Sequence, residues 1–417
     1  MKILYIHQYF VTPGQQGGTR SYEISRYLIG RGHSITMITS GLQNREFPVR
    51  DGEDVTAYDV DGIRLLAIRS GYNDARAGTG MPGWKRMLGF HQFAWKAARI
   101  GRREPRPDLV FATHTPLMVG LSGVMLRRHF KVPFVFEVRD LWPEALVNIG
   151  VLTSKPVIAY LRRLAGYLYR TSDHLSAASP GMKAGILAYG IPAEKVTVVT
   201  NASDLDMFDP QKDGTQERER LGLGTRFAAI YFGAHGKANG LEYVLDAAAE
   251  LKRRGRDDIA LVLHGDGGTK SALKRRVVDE VLDNVVFSDP VPSKEQMSRI
   301  VAACNACMTI YRASKEVTWS PNKLFDALAA GKPVIVNVPG WLGETVEKHD
   351  CGFMTHPTDA LTLADAIVRL ADDCDLCERL STNSRRLAEQ EFAREKQAAK
   401  LEAAFCSLVA PDLLDDD

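Results

Sequence analysis

Apolar strand-like runs alternate with helix-like runs along almost the whole chain, and this alternation constrains the fold more than any other feature. "KILYI" reads as a strand, followed by a helix from Thr19 to Arg31. "SITMITS" is the next strand, and "VTAYDVDGIRLLAIRS" reads as a hairpin turning at Asp61-Gly62. "DLVFAT", "PFVFEV", "HLSAAS" and "KVTVVT" continue the series, with helices expected from Pro116, near 155–171 and from Pro180. A polar stretch, Asp209 to Gly224, then interrupts it and is the best linker candidate. Beyond it the strands are "FAAIYF", "IALVLHGDG", "NVVFSD", "NACMTIY" and "PVIVNV". Helices are expected between them from Leu241, near 270–281, near 293–303 and behind Ser320-Pro321. Apolar strands separated by helices imply parallel sheets covered on both faces. Two such series predict an α/β protein with two Rossmann-like domains, their parallel sheets facing a central cleft. The expected bounds are 1–207, a linker at 208–224, a second domain at 225–390 and a C-terminal helical segment at 391–417.

A chain of 417 residues is long enough for two or three domains, each with its own core. The net charge of +2 carries no global polyanion signal, and no nucleic-acid reader motif accompanies it. No apolar run reaches the ~20 residues that span a bilayer. "MKILYIHQYF" is too short and too mixed for a signal peptide and reads as the first strand, so a cytoplasmic protein is expected. Cys304/Cys307 and Cys374/Cys377 have the spacing of zinc ligands, but "CNACMTIY" reads as a buried strand and "CDLCERL" as a helix. Free core thiols in a reducing compartment are the favoured reading.

Several short stretches could carry chemistry. Gly17 and Gly18 precede a helix start, where glycines admit a ligand close to the backbone and the helix end favours anions; Arg20 either reaches such an anion or sits in solvent. Gly265-Asp266-Gly267-Gly268 ends a strand and is either a ligand approach or a plain turn. "FEVRDLWPE" places Arg139, Asp140 and Glu144 directly after a strand, as a binding loop or a salt-bridged one, and His114 also ends a strand. "SDLD", Ser203 to Asp206, imitates a metal-binding DxD pair but reads better as a turn. Between Trp84 and Arg106 lie seven Lys/Arg and one Glu, interleaved with Trp84, Phe90, Phe93 and Trp95. That pattern suits either peripheral contact with an anionic membrane or a core helix with a solvated basic face. In "WSPNKLFDALAAGKPVIV", Pro321 falls early in a helix, where its missing N–H costs little. The amides of that helix start suit a diphosphate, Lys323 adds charge, and Asp326 can accept from a ribose diol.

"SPNKLFDALAAGKPVIV", "GGTRSYEISRYLIGRGHSITMITS", "FEVRDLWPE", "TNASDLDMF" and "YFGAHGKANGLEYVLDAA" together resemble bacterial glycosyltransferases of family four. The likeness is strongest to the surface-polysaccharide enzymes that include the fucosamine transferases. It runs in register from residue 1 to about 390. The resemblance implies a GT-B architecture, with an acceptor domain first and a nucleotide-sugar donor domain second. The C-terminal helix would return to the first domain. It implies transfer with retention from a nucleotide-diphosphate sugar, a UDP-sugar being expected, to a glycan or lipid-linked glycan, with no metal. Cytoplasmic placement at the inner face of the cell membrane would suit such acceptors.

Carried over residue by residue, Gly17 and Gly18 match the glycine loop near the donor phosphates. Lys237, after Gly233, matches the position that neutralises the diphosphate. Ser320, Pro321, Asn322, Lys323 and Leu324 match the helix start that meets phosphate and sugar. Asp326 matches the second glutamate of the paired-acid motif, and Val291 the stretch whose backbone meets the base. Gly265 joins these as a donor contact, while Lys237, Lys323 and His114 are the expected catalytic groups. Arg20, Arg139, Asp140 and Glu144 are acceptor-side candidates. Two departures stand out: the ribose acid is Asp rather than Glu, and the first acid of the pair falls on Thr318, with Glu316 close but out of register. Other readings on the same fold are an epimerase or phosphorylase, or a non-catalytic nucleotide-sugar-binding subunit.

Overall fold

The computed structural model describes residues 1–14, 18–41, 44, 46–70, 83–148, 150–313 and 318–410. It divides into two units, one of Met1–Thr200 with Thr318–Ser320 and the chain from Glu395, the other of Asn201–Val317 and Pro321–Arg394.

The first unit is built on an eight-stranded sheet. Its strands are β1 (Lys2–Ile6), β2 (Ser34–Ser40), β3 (Val55–Val60), β4 (Ile63–Ile68), β5 (Leu109–Thr113), β6 (Phe134–Val138), β7 (His174–Ala177) and β8 (Val196–Val198). Their order is β3-β4-β2-β1-β5-β6-β7-β8. Every pairing is parallel except β3 with β4, the expected hairpin, whose turn holds Asp61 at φ 52° and Gly62 at φ 84°. Strand side chains alternate between two buried layers, as a period of two requires. Leu4, Ile6, Val110, Ala112, Phe134 and Phe136 meet helices Gly83–Gly101, Val119–Phe130 and Lys155–Thr171. Ile3, Tyr5, Leu109, Phe111 and Val135 meet helices Arg20–Gly30 and Arg394–Val409. The last helix is held by Phe405, edge-on to Phe111 at 5.1 Å, and by Glu402, 2.9 Å from His33 Nε2.

The second unit has a six-stranded, all-parallel sheet in the order β11-β10-β9-β12-β13-β14. Its strands are β9 (Phe227–Phe232), β10 (Ile259–His264), β11 (Val285–Ser288), β12 (Ala306–Thr309), β13 (Val334–Val336) and β14 (Gly352–Met354). Helices Glu242–Arg253 and Ala360–Asp372 cover one face, and helices Asn322–Ala329 and Trp341–Lys348 the other. All six cysteines are free thiols, three of them buried in this unit.

Two expectations need correction. Residues 208–224 are not a linker: they carry helix Thr215–Arg220 and bury Phe208, Leu221 and Leu223 in the second core. Their polar composition hides an anchor, since Arg218 donates to the carbonyls of Gly224, Ala303 and Arg226. The second unit therefore begins at Asn201, not at 225. Pro321 is not inside its helix either. It is the N-cap, extended at φ −77° and ψ 124°, and the helix starts at Asn322.

Candidate functional site

The polar groups of the second unit gather at the carboxyl ends of β9, β10 and β12. Right after β9 comes Gly233, at φ 143°, a conformation that a residue with a Cβ rarely adopts. Gly265, at φ 137° after β10, packs so closely on it that an added Cβ would lie 1.9 Å from the Gly233 carbonyl oxygen. Gly265 thus lets two strand ends meet; the sequence expectation placed it against the donor. The following loop is tied down by His235 N–H donating to the Asp266 carbonyl and by Arg312 N–H donating to that of Ala238.

Lys323, in the first turn of helix Asn322–Ala329, reaches back to this place. Its Nζ would be 3.1 Å from a Cβ on Gly233, and lies 3.9 Å from the centre of the Tyr231 ring and 5.0 Å from that of Tyr311. Such cation–π contacts favour the charged form. Among the described residues no carboxylate pairs with it, and burial lowers its pKa to about 7. Lys237 is exposed and lines a cavity of about 600 Å³ with Tyr311, Arg312 and Thr269. Tyr311 thereby joins the two lysines' surroundings, and Asn337 holds its backbone from both sides, donating to the Tyr311 carbonyl and accepting from its N–H. Asn322 is exposed, Leu324 is buried in the core, and Val291 packs against that core from the loop after β11.

Asp326 lies on the same short helix as Lys323 but not beside it, so the two make no local ion pair. Its Oδ1 accepts from Ser203 Oγ at 2.8 Å, and burial raises its pKa. Oδ2 keeps no partner among the described residues. The DxD look-alike is a turn. Asp204 Oδ1 accepts from the amides of Asp206 and Met207, and Oδ2 pairs with Arg394 at 3.1 Å.

In the first unit the carboxyl ends of β1, β5 and β6 collect a second group. Gly17 and Glu316 lie outside the described residues. Gly18 sits beside Arg139, whose Nη2 would be 3.3 Å from an added Cβ. Arg139 and the neighbouring Asp140 make no hydrogen bonds through their side chains among the described residues, and burial raises the Asp140 pKa to about 6 despite the adjacent guanidinium. His114 is fully buried, edge-on to Trp142 at 5.4 Å, with neither ring nitrogen partnered among the described residues. Burial first and Arg139 second lower its pKa to about 3, so it is neutral at pH 7, as is His7 for the same reasons. Glu144 opens a helix of five residues and pairs with Arg162, which takes it out of the loop group. Ser320 is counted with this unit, next to Thr318, whose carbonyl accepts from Ser179 Oγ.

Arg20 is the main correction among the acceptor-side candidates. It is turned inward rather than open to a ligand. Its Nε donates to Glu137 Oε1 at 2.8 Å, and its other nitrogens to the carbonyls of Val199 and Thr200. Glu137 is wholly buried and also accepts from Thr113, which meets Tyr5 Oη. A lone acid inside the apolar strand "FVFEV" was the sequence signal for this network. His235 was missed as well: it is buried under the glycine loop, with neither ring nitrogen partnered among the described residues.

Comparison with known proteins adds a family. Residues 17–202 match the Glycosyl transferase 4-like domain, and residues 226–373 match the Glycosyl transferases group 1 domain. The chain is 25% identical over 288 residues to the probable glycosyltransferase WbjE of Pseudomonas aeruginosa, covering 68% of this chain and 69% of that protein. It is 22% identical over 406 residues to the N-acetyl-alpha-D-glucosaminyl L-malate synthase of Bacillus anthracis, covering 95% and 94%. The sucrose-phosphate synthase of Thermosynechococcus elongatus superposes with a TM-score of 0.77 at 19% identity, over 99% of this chain and 100% of that one. HepE of Anabaena, solved in complex with UDP, gives 0.71 at 18% identity over 98% and 100%. Identities this low in the solved structures carry the fold alone.

Proposed function

The chain belongs to the bacterial GT-B glycosyltransferases of the family-four type, and on that premise we propose that it moves a sugar, with retention, from a UDP-sugar to a glycan or lipid-linked glycan in surface-polysaccharide or glycoconjugate assembly. The observation that carries the reading is Lys323. An ammonium held over two tyrosine rings, beside a glycine with no side chain and with no carboxylate partner among the described residues, suits an incoming anion. Complexes of HepE with UDP and with UDP-glucose support the choice of nucleotide.

As the sugar–phosphate bond breaks, the sugar takes on oxocarbenium character and charge grows on the leaving diphosphate. Lys323, the amides opening its helix and Lys237 stabilise that charge. The free Oδ2 of Asp326 accepts from the ribose, and backbone near Val291 meets the base. Arg139 and Asp140 hold the acceptor. Neutral, enclosed His114 is a poor proton acceptor, so the departing phosphate takes the acceptor's proton. No metal is needed in this scheme, because the lysines and the helix end do that work. Both oxygens of Asp204, the nearest DxD candidate, are already engaged.

Lys323→Met is the test. Removing one stabiliser of transition-state charge lowers turnover by about 10²–10³-fold, while the apolar replacement leaves the melting temperature intact. Wild-type rates in the variant would overturn the assignment. Rates in excess EDTA should match those without it. UDP binding with no turnover on any donor–acceptor pair would instead favour a binding subunit, the reading that Thr318 in an acid's place suggests.

A further inference from the structure

Helices Gly83–Gly101, Val119–Phe130 and Lys155–Thr171, which cover one face of the first unit's sheet, carry ten Lys and Arg and not one Asp or Glu. The whole chain is close to balance, with 53 basic and 51 acidic residues. The opposite layer is mixed, with Glu23, Glu395 and Glu402 among its bases. Two of the ten are answered by acids just outside the helices, Arg127 by Asp173 and Arg162 by Glu144; the positive excess that is left belongs to one surface.

That surface is also apolar where folding does not ask for it. Helix Gly83–Gly101 already buries Phe90, Phe93, Ala94 and Ala97 against the sheet. Trp84, Leu88, His91 and Trp95 fall on the other side, spaced four, three and four apart, which makes a single stripe. Trp84 is 64% exposed, Leu88 65% and Trp95 56%. His91 Nε2 meets Tyr160 Oη at 2.6 Å, which joins the stripe to helix Lys155–Thr171, where Tyr160 and Tyr167 are exposed. Cations flank it: Lys85 lies over the Trp84 ring and Arg99 over the Trp95 ring, while Arg163 and Arg170 face solvent.

We propose that this three-helix face docks on an anionic lipid bilayer, its lysines and arginines at the headgroups and Trp84, Leu88 and Trp95 in the boundary with the acyl chains. No helix among the described residues is long and apolar enough to cross a membrane, so the contact is peripheral. A bare polyanion such as RNA matches the charge but gives Leu88 nothing to bury against.

The test is co-sedimentation of the full chain with vesicles of phosphatidylglycerol and phosphatidylcholine, against phosphatidylcholine alone. Wild type should bind the anionic vesicles and be released as salt rises. Trp84→Ser/Trp95→Ser and Arg163→Ser/Arg170→Ser should each weaken partition on the order of tenfold, with melting temperature unchanged. The second pair lies outside the Trp84–Arg106 stretch, so its effect separates a three-helix face from a single basic helix. No binding to anionic vesicles at low salt overturns the proposal. So does wild-type partition in both variants, or displacement from vesicles by a single-stranded RNA that binds as tightly.

Discussion

The carboxyl edges of the two sheets are made from similar parts but partner their cations differently. Each has a glycine-bearing turn after its first strand, buried histidines held neutral and a cation reaching in from a helix start. In the first unit that cation is Arg20, and the protein answers it with Glu137 and two carbonyls. In the second it is Lys323, answered among the described residues by the faces of Tyr231 and Tyr311. A cation whose hydrogen bonds are filled by its own chain holds structure together. One left over aromatic rings has donors to spare, at the cost of a lowered pKa.

The comparison breaks most visibly at Arg20. Arg20→Met leaves Glu137 buried without its cation and should cost about 3–5 kcal/mol, the usual toll for stranding one member of a buried pair. Thermal melting should fall on the order of 10 °C, while UDP affinity at low temperature stays that of wild type. An unchanged melting point with lost acceptor turnover would return Arg20 to the ligand.

A smaller effect is expected at Asp326. Asn can keep the Ser203 contact but gives up a charge-assisted bond to ribose, so UDP affinity should drop roughly 10- to 150-fold by calorimetry. Stability should not drop with it. Burial raises the Asp326 pKa, so the folded state holds its proton more tightly than the unfolded one. The wild-type contribution therefore declines as pH rises through the unfolded and then the folded value. The Asn variant loses that slope, and melting curves from pH 4 to 8 would show it. A destabilised variant with intact UDP binding would make Asp326 a purely structural partner of Ser203.

The smallest effect sharpens the role of Lys323. Its pKa, lowered to about 7 by burial, means the free protein loses this charge as pH rises past neutrality. A bound diphosphate favours the charged form. UDP affinity should therefore weaken between about pH 7 and 9, by at most tenfold per unit. Lys323→Arg, which keeps its charge, should be flat over that range. A flat wild-type profile would mean that Lys323 is not at the diphosphate.

Much of this was legible from residue order. Strands such as "KILYI" and "IALVLHGDG" announce themselves because a strand buried on both faces must be apolar at every position. Lys323 stood out because the amides of a helix start suit an anion, whereas Gly233 and Lys237 entered only through the family resemblance. Arg20 misled because its partner, Glu137, lies 117 residues away on another element. Residues 208–224 misled because three buried side chains among many polar ones leave no periodic trace.

The succession of strands and helices along the chain, the two Rossmann-like series and the family resemblance follow from the sequence by itself, since each rests on local pattern repeated along the chain. Which charges are spent inside the protein and which remain for a ligand was settled only by tertiary structure. Arg20 and Lys323 are both cations near a helix start. They differ in what distant segments bring within 3–5 Å of them. At that range, burial and pairing decide whether a charge is neutralised, shifted or left available.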